Sequence, residues 1–326
     1  MTLKRAALKR CAALIPNVYR PPAGVLFAGG HIVAESAPLH VRHLLTVPTI
    51  RKFQEDLDFL CRRYRPLQLS ELNQLPRLPH KKASPHSFLL SFDDGLREVY
   101  DIIAPMLRQK GIPAVFFINS ATIDNKQLMW RHKISLLIER SKQQPERTPP
   151  QVHLRPGESL RTRLYTMRFD APIIDEIARS LDVDFDGYLR QFKPYLTTSE
   201  VLELSHLGFE FGAHSHSHPY FCEIAVDEQK KQISTSVEFI RALGLPCRYF
   251  AFPFHDIGVT ASVFNHIADL NLDLSFGTSE ARLDSISFSF QRFSLDTDSS
   301  ISRILSELSV RSFVRRVTDT EVIHRI

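Results

Sequence analysis

The 326 residues, 43% of them hydrophobic, suffice to bury one large core or two modest ones and exclude a disordered or fibrous chain. The formal net charge of +5 and the pI near 9.0 are mild. The basic residues are scattered rather than gathered into a stripe with aromatics between them, which argues against a dedicated nucleic-acid binder.

At the start, Lys4 to Pro16 carries the positive charge of an export signal, but its apolar run is too short for the rest of one. The expectation is a solvated basic extension over residues 1–22, with weak contact to an anionic membrane surface as the alternative. No apolar stretch approaches the ~18 residues needed to span a bilayer. Cys11, Cys61, Cys222 and Cys247 are far apart and form no Cys-x-x-Cys pair, so a reducing, cytoplasmic setting is the simpler assumption.

Gly24 to Ala28 reads as a first short strand ended by Gly29-Gly30, and His31, His40 and His43 follow as ordinary loop histidines. From Thr49, apolar positions at Ile50, Phe53, Leu57, Leu60, Cys61 and Tyr64 recur at helical spacing. Phe88 to Phe92 is an apolar strand that ends in Asp93-Asp94-Gly95. A helix over Leu96 to Lys110, stopped at Gly111, and a strand over Ala114 to Ile118 complete a parallel βαβ unit.

The rhythm returns after Thr197, whose spacing to Glu200 is that of a capping box. A strand over Phe209 to Ala213, a helix over Asp227 to Leu243, a strand over Tyr249 to Phe252, a helix over Thr260 to Leu270 and a strand over Leu272 to Phe276 follow. Residues 130–194, rich in Arg, Gln, Pro and Asp, read as an insertion with two or three helical segments, and Ser299 to Val317 as a last helix. The pattern predicts one α/β domain over residues 23–326, its mainly helical insertion lying at about 130–195.

Two adjacent carboxylates at a strand end can take different tasks where the chain turns at Gly95, although Asp-Gly is also ordinary turn punctuation. His214 and His218, in His214-Ser215-His216-Ser217-His218, are spaced so that two imidazoles reach one ion, and they too follow a strand. In a βα fold all such strand ends share one face. One carboxylate and two imidazoles leave coordination positions open, the composition of a hydrolytic rather than a structural site.

Together with Ala251-Phe252-Pro253-Phe254, these segments resemble the motifs of the polysaccharide deacetylases, the NodB-type carbohydrate esterases. Ser91-Phe92-Asp93-Asp94-Gly95 is similar to that family's Thr/Ser-Phe-Asp-Asp-Gly motif, and His214 to His218 to its His-Ser/Thr-x-x-His. The resemblance spans roughly Val25 to Leu295 apart from the insertion. It implies a distorted (β/α) barrel that removes N-acetyl groups from amino sugars with a divalent metal, usually zinc. Carried over, Asp94, His214 and His218 bind the metal, Asp93 is the general base, the Phe254 backbone N–H is the oxyanion donor and Ser215 orients the histidine loop.

Two departures stand out. Ala251 occupies a position where many members have an Arg that pairs with the base, and Arg248, Arg97 and Arg292 are the candidate substitutes. The family's late Leu-x-His acid motif has no good copy, which leaves His255 as the candidate acid and His324 behind it. These gaps motivate two rival readings beside an N-deacetylase acting on an acetylated amino sugar: a deformylase of the same fold, and a carbohydrate-binding relative without turnover.

Overall fold

The strands position everything else in the fold. The computed structural model describes residues 24–72, 74 and 87–326, and the basic extension lies outside them. β1 (Val25–Gly30), β2 (Arg65–Pro66), β3 (Ser87–Phe92), β4 (Ala114–Ile118), β5 (Glu210–Ala213), β6 (Tyr249–Ala251), β7 (Leu274–Gly277), β9 (Ser289–Gln291) and β10 (Phe293–Ser294) form one sheet, with β8 (Leu283–Asp284) preceding the last two in the chain. Every pairing is parallel, in the order β10-β1-β3-β4-β5-β6-β7-β9 with β2 added on the early part of β3. β3 and β4 are buried along their whole length, as parallel strands covered on both faces must be.

The two ends of this order are nearly joined. β9 lies on β7 and β10 lies on β1, yet only Arg292 separates them in the chain. The sheet therefore curls into a nearly closed barrel. These short strands are absent from the sequence reading, because two- and three-residue segments show too little alternation to be recognised.

Strand alternation sorts the apolar residues into two cores. Phe27, Leu89, Val115, Phe117, Tyr249, Leu274, Phe276 and Phe290 cluster inside the barrel. Leu26, Phe88, Leu90, Phe92, Phe116 and Phe250 belong to the larger cluster under the helices. By the same alternation Ser91 and then Asp93 fall on the interior side of β3.

The covering helices follow their local signals. α1 (Ile50–Arg63) is capped by Thr49, whose side chain accepts from the Lys52 N–H, and buries Phe53, Leu57 and Leu60. After α2 (Leu69–Leu72) and β3, the single helix expected over 96–110 divides into a π-helical turn, Val99–Ile103, and α3 (Ala104–Gln109). Pro105 is the reason: it has no N–H to give to the preceding turn, and the Ala104 N–H instead reaches back to the Val99 carbonyl.

The insertion holds four helices, α4 (Trp130–Gln143), α5 (Leu160–Thr166), α6 (Ala171–Ser180) and α7 (Phe185–Phe192), the last three capped by Ser159, Asp170 and Asp184. Ile134, Leu137, Ile174, Ile177 and Leu189 pack with Ile32, Val41, Leu96 and Tyr195 of the barrel loops, so the insertion is joined to the barrel by a shared core. α8 (Thr198–His206) carries the expected capping box, and α9 (Val226–Ala242), α10 (Ala261–Asp269) and α11 (Ile301–Val317) complete the shell. Among the described residues no helix is long and apolar enough to cross a membrane.

After α11, β11 (Val322–Ile323) pairs with β8. This brings the Arg325 side chain, 2% exposed, between Asp256 and Asp284, both with fully buried side chains. Arg325 Nη1 donates to the Asp256 carbonyl at 2.5 Å, and Gln291 Nε2 donates to the Asp256 carboxylate at 2.8 Å. Removing the cation leaves two buried carboxylates without compensation. Arg325→Met is expected to lower unfolding free energy by about 3–5 kcal/mol, read from denaturant midpoints; an unchanged midpoint would show the pair to be solvated.

Candidate active site

At the end of β3 the interior-facing Asp93 is held from across the barrel by Arg292. Arg292 Nη1 donates to Asp93 Oδ1 and Nη2 to Oδ2, each at 2.7 Å, and Nη1 also donates to Ser91 Oγ at 2.9 Å. The guanidinium stands over the Phe117 ring, 5.3 Å from its centroid. A Cβ on Gly29 would press on it at 3.3 Å, so glycine at that position leaves it room. Burial alone would raise the Asp93 pKa, but Arg292, followed by His214, outweighs it and holds the carboxyl below its usual range. Asp93 is therefore ionised.

Asp94 takes φ +72°, leaves the strand and points elsewhere. Its Oδ1 lies 3.6 Å from His214 Nε2 and 3.4 Å from His218 Nε2. Three such atoms, one from each residue, lie within 4.8 Å of one another and all three residues are buried. Two ligands at ~2.0–2.1 Å from one tetrahedral zinc sit about 3.3 Å apart, so the spacing fits a shared ion.

The unmet bonding capacity gives the same answer. Asp94 Oδ1 and His214 Nε2 are buried with no hydrogen-bond partner, which is costly unless something else satisfies them. His214 Nδ1 lies 2.8 Å from the Ala251 carbonyl, which assigns the proton to Nδ1 and leaves the Nε2 lone pair free. Burial lowers the pKa of both histidines and keeps them neutral, the form that coordinates.

The loop that carries them is tied down. His218 takes φ +60° and Ser215 φ +68°, while the His218 N–H donates to Ser215 Oγ at 3.1 Å. Asn119 Nδ2 donates to the His214 carbonyl at 2.5 Å, and Trp130 Nε1 of the insertion donates to the His218 carbonyl at 2.9 Å.

Asp93, Asp94 and His218 open onto a cavity of about 480 Å³, with His31, Arg131, Tyr165, Tyr220, Phe254 and Asp296 among its other walls. Phe254 is the centre of a γ-turn: its φ is +57°, and the His255 N–H donates to the Pro253 carbonyl at 2.7 Å. Its ring stacks on Tyr220 at 3.7 Å and meets His218 at 4.5 Å.

The family model described as polysaccharide deacetylase matches residues 80–274. The chain belongs to the polysaccharide deacetylase family. No curated protein sequence matches it. Among solved structures, the Streptococcus pyogenes deacetylase PplD, solved in complex with acetate, is similar at TM-score 0.58 and 14% identity, covering 87% of this chain and 97% of that one. IcaB from Ammonifex degensii is similar at TM-score 0.56 and 15% identity, over 87% and 97% of the two chains. A de-N-acetylase from Aggregatibacter actinomycetemcomitans gives 0.53 and 13%, over 87% and 99%. At these identities the likeness is one of fold, the deacetylase (β/α) barrel.

Of the three arginines offered as partners for Asp93 in this polysaccharide deacetylase, Arg292 is the one that meets it. Arg97 lies against Asp101 and Glu200, and Arg248 against Asp273. His255 is not among the cavity walls: the γ-turn carries the chain past the cavity, and its closest aromatic contact is Tyr220 at 6.3 Å. His324, beside β11, is exposed.

Two cavity-wall histidines are not singled out by the sequence: His132 of α4, whose Nδ1 lies 2.7 Å from the Tyr195 hydroxyl, and His31, immediately after β1. His31 Nδ1 lies 2.5 Å from Asp296 Oδ2, and its N–H donates to Asp296 Oδ1 at 3.1 Å. Burial works to lower its pKa, but Asp296, with help from Asp94 and Asp93, pushes it up to about 10. The available signal was positional, since His31 follows a strand end just as Asp93 and His214 do.

Arg292→Met is expected to reverse the balance at Asp93, because burial then acts unopposed by the guanidinium and the carboxyl pKa rises. The acid limb of a kcat/KM profile should move to higher pH; an unmoved limb would disconnect the pair from turnover.

Proposed function

We propose that this family member is a metal-dependent hydrolase that removes the N-acetyl group from an amino sugar in a glycan or glycoconjugate. The observation that carries the reading is the convergence of three buried ligand atoms, two of them orphaned, beside an ionised carboxylate that a fixed arginine holds apart from them. Asp94, His214 and His218 would hold the ion, and their mix of one oxygen and two imidazole nitrogens suits zinc. When bound, such an ion polarises an amide carbonyl and acidifies water.

The remaining work belongs to the chain. Asp93 accepts a proton as water adds to the amide carbon, and Arg292 keeps its carboxylate charged and aimed into the cavity. Among the described residues no hydrogen bond uses the Phe254 N–H, so it is free to donate to the oxygen on which negative charge develops. His31, kept protonated by Asp296, gives a proton to the nitrogen as the C–N bond breaks, which releases acetate and the free amine. His31 thus takes the role first considered for His255. With Arg292 and His31 in place, the gaps that motivated a non-catalytic relative lose their force.

Incubation of zinc-loaded protein with N-acetylglucosamine oligosaccharides should release acetate and amine; formate from N-formyl analogues alone would favour the deformylase. Asp93→Asn is expected to retain zinc while losing about 10²–10⁴-fold in rate, whereas Asp94→Asn or His214→Ala should lose zinc. Metal lost from all three would overturn the division of labour. Removing the carboxylate in Asp296→Asn lowers the His31 pKa, so the alkaline limb should move down from about pH 10; a fixed limb would exclude His31 as the acid.

A further inference from the structure

Arg131 is a charged cavity-wall residue that the proposed reaction does not use. It comes from the first turn of α4, in the insertion that the family motifs leave unmatched. It is 8% exposed. Its guanidinium lies between two rings, 5.2 Å from the centroid of Trp130 and 5.1 Å from that of Tyr165. Among the described residues its one hydrogen bond is from Nη1 to the Tyr165 carbonyl, at 2.9 Å, and no carboxylate pairs with it.

A guanidinium has five N–H donors in a rigid fork, and burying one without an opposite charge is costly. Apart from Asp94, which faces the two histidines, the other charges around the cavity are answered within the chain. Asp93 is matched by Arg292, Asp296 by His31, and the neighbouring Arg168 by Glu223 at 2.7 Å. Arg131 is a cation with unspent donors and no carboxylate partner among the described residues, beside a cavity it helps to line and fixed in place by aromatic faces. The cavity, at about 480 Å³, is also larger than an acetamido group requires, and it falls in the ~300–1,000 Å³ range of sites that hold a whole small ligand. Tyr165, 48% exposed, with Tyr220 and Phe254, supplies flat apolar surface on which a sugar ring can rest.

We propose that the acetylated sugar carries an anionic group, a phosphate ester or a carboxylate, and that Arg131 is the specificity residue that binds it. The inference rests on the hydrolase reading for its acetylated sugar. Planar, forked recognition is what both anions share, and it makes arginine stronger than lysine at such a site.

The test is equilibrium binding, by calorimetry, to the zinc-loaded full chain. The probes are N-acetylglucosamine 1-phosphate, N-acetylglucosamine 6-phosphate, 2-acetamido-2-deoxyglucuronic acid and neutral methyl N-acetylglucosaminide. At least one anionic probe is expected to bind about tenfold or more tighter than the neutral one, and the probe that does so separates phosphate from carboxylate. Arg131→Gln should abolish that ratio and Arg131→Lys should reduce it several-fold, with circular dichroism confirming the fold; if the Gln variant does not fold, the Lys variant decides. Equal binding of all probes by the wild type, or a preference that survives in the variants, overturns the proposal. The same binding comparison in Asp93→Asn, which is expected to retain zinc without turnover, keeps the two readings apart, and absence of acetate from every probe with the wild type would refute the hydrolase reading separately.

Discussion

The buried pair between Arg292 and Asp93 joins the architecture to the chemistry. Arg292 is the residue between the two strands that end the sheet, so the place where the barrel nearly closes is also the place from which a cation reaches the end of β3. As a stabilising element such a pair is unimpressive, since desolvation consumes most of the attraction and a well-packed apolar substitute often does as well. Its value lies in what it does to Asp93: a carboxyl that burial would neutralise stays ionised, and two parallel hydrogen bonds fix its orientation.

That constraint separates two adjacent aspartates into different environments. Asp93 continues the strand alternation into the barrel, while Asp94 at positive φ breaks it and meets the histidines from β5. Positive φ at Asp94, Ser215, His218 and Phe254 concentrates unfavourable backbone geometry in the loops around the cavity. Those loops are held from outside by Asn119, Trp130 and Thr278, the last donating to the Phe254 carbonyl at 2.8 Å. The insertion is thus more than a decoration on the barrel, since it supplies both a tether for the His218 loop and one wall of the cavity.

The charges are arranged to leave one carboxylate unanswered. Asp93 and Asp296 each have a cationic partner, and neutral His214 and His218 give Asp94 none. A divalent cation held there, as proposed, would convert a locally negative site into a locally positive one, the field that negative charge on a reacting oxygen requires.

Much of the site was legible in the chain because it is built from contiguous strand-end motifs: Ser91 to Gly95, His214 to His218 and Ala251 to Phe254 each pair a periodic apolar run with polar residues at its end. The same local signals placed α1, β4 and α8, where a cap, a short apolar run and a capping box act within a few residues. Arg292, His31 with Asp296, and Arg131 were decided only by the tertiary structure. Arg292 and Asp93 are 199 residues apart and His31 and Asp296 are 265 apart, so their partnership exists only after the parallel sheet has curled and brought the ends of β1, β3 and β10 to one rim. Periodicity reports which face a residue occupies, and it is silent about which distant residue waits across the barrel.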